Sequence, residues 1–280
     1  GEKKTQYMFG YYDKSPWDFN GHTMLTLQIP FSDKHPDAQP ATICLYNTLN
    51  GDIQEIAETL AWNLQQGCML QWIGPDYSDR IIYNDFRNSE HCSVIYDINR
   101  RKEKVISMPI YSMSKDGQKA LSLNFSRLHR LRPGYGYSNL VDPTEGLFHP
   151  KHDGIWIIDV HHNESNLIIS LDDIVNFNWS ADMDGAEHKF NHLEFNPSGT
   201  RFMFLHRWRK NNIGYSRLFT ANLDGTGLYC LADDQMVSHS CWKNDEEILC
   251  WARRRNEGDH YFCFTDETPD FKMIGGGQLD

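Results

Sequence analysis

The chain has 280 residues, and its 27 Lys and Arg stand against 38 Asp and Glu, a formal net charge of −11. That sign argues against a nucleic-acid binder, which needs a basic face to release counterions. Apolar residues make up 40% and aromatics 13%, enough to build a large core and to exclude wholesale disorder. The chain holds no apolar run of the roughly 18 residues that a membrane-spanning helix needs, so no membrane span is expected.

Taken in chain order, the predicted elements are almost all strands. Residues 22–29, 41–47, 79–85, 92–98, 154–160, 201–208, 217–222, 247–254 and 260–266 are short runs rich in β-branched and aromatic types, the signature of strands in a half-buried or buried sheet. Between them fall turn sequences such as DFNG (18–21), TLNGD (48–52), SKDG (114–117), NPSGT (196–200) and NLDGTG (222–227). The order of turn, strand, polar loop, strand and polar hairpin recurs about every 45–55 residues, the length of a four-stranded propeller blade. About five such units are visible, so the expected fold is all-β, a single β-propeller domain over 1–280 built from four-stranded blades, whose radial repetition protects strand edges. The third unit carries an inserted loop at about 127–151 with three Arg, two His and two Tyr, a length at which loops tend to be lids over a pocket. A single short helix is expected, within 171–185.

The seven cysteines mostly lie in apolar runs and form no CxxC, which predicts buried, reduced thiols rather than a disulfide framework or a zinc ribbon. The first residues, GEKKTQYMFGYYD, contain no apolar signal region, so the expected location is cytoplasmic.

Propeller sites gather where the innermost strands converge, which directs attention to polar residues just before each blade's first strand. Here these are Asp13, Gln65, Gln66, His188, His192 and His239. The pair His188 and His192 has helical ligand spacing but lies on a strand entry, and HExxH, GxSxG, P-loop and GxGxxG patterns are missing. Asp13, Asp85 and Glu194 are candidates for a paired-carboxylate glycosidase. A different chemistry, β-elimination from a uronic acid, needs a base for the proton alpha to the carboxylate and a cation for the charge that develops. His239 suits the first role and Arg217 the second, since a guanidinium binds a carboxylate bidentately.

Three stretches carry a resemblance: NHLEFNPSGTRFMFLHRW (191–208), YSRLFTANLDGTG (215–227), and MVSHSCWKNDEEILCWARR (236–254) with HYFCFTDETP. Across about 187–266 the chain resembles the oligogalacturonate lyase family of seven-bladed propellers. The resemblance implies a lyase acting in polysaccharide degradation on an acidic oligosaccharide, with His239 as the base and Arg217 as the catalytic cation. It implies His192 and His206 as substrate-binding histidines. Arg130, Arg132 and Tyr135 of the inserted loop are expected to add sugar contacts. The family also implies a divalent metal, manganese, but its ligand positions are unmatched in this chain, and so are its two closing blades. Where family members have Glu after the catalytic His, this chain has Ser240. The alternative function is a non-catalytic propeller that binds a glycan or a protein partner.

Overall fold

A computed structural model describes residues 5–30 and 39–275. They form five four-stranded sheets, each with its strands hydrogen-bonded in chain order. The first contains β1 (Thr5–Met8), β2 (Thr23–Pro30), β3 (Ala41–Asn47) and β4 (Ile53–Thr59). The second contains β5 (Gln71–Trp72), β6 (Arg80–Arg87), β7 (Glu90–Asp97) and β8 (Lys102–Ile106), and the third β9 (Ser112–Met113), β10 (Lys119–Ser122), β11 (Gly154–Asp159) and β12 (Glu164–Ser170). The fourth comprises β13 (His188–Phe195), β14 (Arg201–Lys210), β15 (Ile213–Asn222) and β16 (Tyr229–Ala232). The fifth comprises β17 (Val237–Trp242), β18 (Glu247–Arg254), β19 (Gly258–Thr265) and β20 (Phe271–Ile274). This is the expected β-propeller architecture of four-stranded blades.

The chain divides into two compact units, residues 1–143 with 158–165, and residues 144–157 with 166–280. In the first, Leu25, Leu27, Ile43, Leu70, Ile81, Tyr83 and Val94 pack face to face between the first two sheets. In the second, Met203, Leu205 and Leu218 of the fourth sheet pack against Val237, Ile248, Cys250 and Phe262 of the fifth. Side chains alternate across a strand, so the intervening Phe202, Phe204, His206 and Trp208 must point from the other face of β14. Turn residues do what their chemistry predicts: the Asn196 Oδ1 atom accepts from the backbone N–H groups of Thr200 and Arg201 at 2.9 and 3.0 Å. Gly225, at φ +83°, packs so closely on Ile168 that a Cβ would lie 2.1 Å from its carbonyl oxygen.

The helix expected within 171–185 is found, and the expectation that it is the single helix is corrected. The helix expected in 171–185 is α2 (Leu171–Asn176), where Ser170 and Asp173 form a capping box. A second helix, α1 (Phe125–Leu131), opens the insertion; Asn124 caps it, and Phe125 and Leu128 are buried one turn apart. The first half of the insertion is therefore packed structure, not an open lid. Gly136 (φ +71°) sits against α1, where a Cβ would meet the Phe125 oxygen at 2.2 Å, and Tyr137 stacks on Phe125 at 4.7 Å. All seven cysteines are free thiols, and Cys241 is exposed rather than buried. Among the described residues no helix is long and apolar enough to cross a membrane.

Candidate functional site

The first strand of three sheets is broken at the same place. In β13, Asn191 pairs with Leu205 and Glu194 with Met203, so the ladder slips by one residue around His192, which sits at φ +54°. In β17 the slip falls between Ser238 and Ser240, with His239 at φ +43°. In the second sheet Gln71 pairs with Ile82, yet the Asn84 N–H donates to the Cys68 oxygen, and Met69 stands at φ +55°. Each left-handed residue lies three positions before an aromatic, Trp72, Phe195 or Trp242. A left-handed conformation costs a non-glycine residue roughly 1–2 kcal/mol, and bulges of this kind re-aim side chains next to sites. The aromatic spacing was legible in the sequence; the bulge it marks was not.

His239 is exposed, and its Nδ1 lies 3.0 Å from the Ser238 hydroxyl, which orients the ring. His192 is 6% exposed. His206 and Arg217 are cross-strand partners on one face of the fourth sheet, and both are buried. The guanidinium donates from Nη1 to the Phe177 and Asn178 oxygens at 3.0 and 3.1 Å, and from Nη2 to the Ile174 oxygen at 2.9 Å. Nε and Nη2 both reach His206 Nδ1, at 3.3 and 3.1 Å. All five donors of the fork are thus engaged. Because α2 has no basic residue in its last turn, Arg217 supplies the cation and donors that helix's C-terminus lacks.

Arginine can only donate, so His206 Nδ1 is an acceptor and its Nε2 carries the proton. That Nε2 lies 2.9 Å from His188 Nδ1, and His188 Nε2 lies 3.4 Å from the Met183 oxygen. The tautomers follow one another along the row, ending on a carbonyl. The two imidazoles stack at 4.9 Å, and Trp208 stacks on His206 at 4.9 Å. Burial above all, with the Arg217 charge beside it, holds His206 well below the ordinary histidine range. It is a neutral structural group.

This geometry corrects the expected pairing of Arg217 with His239. The neighbouring Ser216 hydroxyl donates to the Val237 oxygen and accepts from the Val237 N–H, so Ser216 faces β17. Arg217, next in the strand, points from the opposite face, away from the strand that bears His239. Its committed donors leave none for a substrate carboxylate. His206, expected to bind substrate, lies fully buried in the row that orients Arg217.

In the other unit, Arg130 pairs with the buried Asp142 at 2.9 Å, while Arg132 is exposed and lies 4.6 Å from the centroid of the Tyr135 ring. Asp85 accepts from the Leu60 and Phe86 N–H groups and from Arg87 Nε at 3.0, 2.8 and 2.6 Å, which makes it a structural carboxylate. The implied manganese finds no fit. Among the described residues no three His, Cys, Asp or Glu side chains converge as metal ligands, and His188 and His206 spend ring nitrogens on each other.

The fold and this arrangement define the chain as a β-propeller of four-stranded blades. It superposes on the oligogalacturonate lyase of Vibrio parahaemolyticus with a TM-score of 0.61 and 11% identity, covering 96% of this chain and 66% of the lyase. The β-propeller domain of the trilobed protease from Pyrococcus furiosus gives 0.55 and 12%, covering 99% of this chain and 74% of that one. TolB from Acinetobacter baumannii gives 0.50 and 9%, covering 96% and 56%. This chain therefore spans just under two thirds of the lyase's length and little over half of TolB's. At such identities the likeness is one of fold. No family model and no curated relative matches the chain.

Proposed function

We propose that the chain recognises an acidic oligosaccharide and that His239 meets it. The observation that carries this is His239 itself: exposed on a bulged first strand and oriented by the Ser238 hydroxyl. The ligand class is supported by the sequence resemblance around His239 and by a fold neighbour described as an oligogalacturonate lyase. Elimination would also require a cation at the substrate carboxylate, and Arg217 is occupied by the end of α2. Recognition is therefore favoured over cleavage.

Calorimetric titration with oligogalacturonides tests the reading. Saturable binding is expected without the ultraviolet absorbance of an unsaturated product, and His239→Ala is expected to weaken it about tenfold, the loss of one hydrogen bond. Product absorbance that disappears in His239→Ala would instead establish a lyase. Absence of binding would refute the reading.

A further inference from the structure

Within the first unit, a second cluster of buried polar side chains is used by nothing described so far. The Asp13 and Lys14 side chains form an ion pair at 2.8 Å, although each is more than nine-tenths buried, with relative exposures of 6% and 7%. Lys14 Nζ lies 5.0 Å from the centroid of the Tyr111 ring. The Tyr111 hydroxyl accepts from Gln66 Nε2 at 2.8 Å, and Gln66 is 2% exposed. The backbone holds these parts together: a Cβ on Gly67 (φ +63°) would lie 2.7 Å from the Phe9 oxygen, and one on Gly10 would lie 3.0 Å from the Gln66 oxygen. Tyr11 follows directly, its hydroxyl 3.5 Å from that of Tyr135.

Two buried acceptors in this cluster, Asp13 Oδ1 and Gln66 Oε1, receive no hydrogen bond from the described residues. Buried acceptors, a carboxylate oxygen above all, are costly to leave unanswered. What answers them must donate hydrogen bonds. A cationic donor is disfavoured, because Lys14 already neutralises Asp13 and Arg132 adds a positive charge over Tyr135. Uncharged donors carried on an apolar ring, set among tyrosine faces, describe a sugar. We propose that Asp13, Lys14, Gln66 and Tyr111 form a saccharide-binding site, with ligand hydroxyls donating to Asp13 Oδ1 and Gln66 Oε1 and sugar C–H groups against Tyr11 and Tyr135. The ligand class rests on these acceptors and rings and is independent of His239.

The test is a titration of the full chain with the neutral disaccharide galactobiose, followed by nitrogen-15 NMR of the Gln66 side-chain amide and of the His239 ring, with affinities from calorimetry. The Gln66 amide is expected to shift saturably. Asp13→Asn and Gln66→Met are each expected to weaken binding about tenfold, the loss of one acceptor. A Gln66 amide that stays still, or affinities unchanged in both variants, overturns the proposal. Movement of His239 alone would overturn this site and leave the function proposed above standing. Movement of Gln66 alone would support this site and leave the acidic ligand proposed for His239 untouched. If neither moves, this site falls, and the acidic ligand proposed for His239 is judged by the oligogalacturonide titration.

Discussion

At the scale of single residues, Arg217 has all five donors of its fork engaged. Replacing it with methionine keeps much of its bulk and removes every donor, leaving three backbone oxygens and His206 Nδ1 unanswered. Arg217→Met is expected to cost about 3 kcal/mol, the scale of unsatisfied buried polar groups, measured by urea unfolding. Amide exchange should rise first in 171–178, the segment the guanidinium holds. The same row sets a pH dependence. His206 is buried neutral, with its pKa pushed down chiefly by desolvation, and burial likewise pulls His91 down to about 4 from 6.5. In the unfolded chain both imidazoles take up protons near 6.5, before the folded ones do. Their contribution is therefore complete above 6.5 and is lost as pH falls below it, for His91 down to about 4. Each such group gives a slope of at most about 1.4 kcal/mol per pH unit. Urea midpoints measured above and below the ordinary histidine value should fall on the acid side, and His91→Phe should flatten the slope.

At the scale of elements, the bulged first strands separate backbone from side-chain effects. Since His239 is exposed and left-handed, His239→Gly should keep or slightly raise stability. His239→Val should lower it by about 1–2 kcal/mol, because a β-branched residue resists that conformation. Equal thermal midpoints for the two variants would show that the bulge is not strained. These strands were also the least legible part of the fold. The run ATICLYN and the run EILCWARR match β3 and β18 residue for residue, because long, paired strands need apolar residues on both faces. In β5 and β9 only two residues each keep regular pairing, too few for any period to register. Helix α1 was hidden for a related reason: its buried face includes Arg127, beside Asp142 at 4.0 Å, so its pattern reads as polar loop.

At the scale of the whole molecule, the repeat of blades was readable because each blade restates the same turn chemistry and strand order. The composition of the candidate site was not. His206, Arg217 and His239 are close in sequence pattern, but the two-residue alternation of β15 sends Ser216 toward one neighbour and Arg217 toward another. Sequence likeness carries residue types; facing depends on register, and in β13 and β17 the register slips by one residue at a bulge. At Met69, His192 and His239 the main chain is held in one shape by the ladder on either side, while what it displays differs from sheet to sheet. Such a socket holds a thioether or an imidazole on the same backbone, and of the three side chains His239 alone is exposed, Met69 and His192 being turned into the interior.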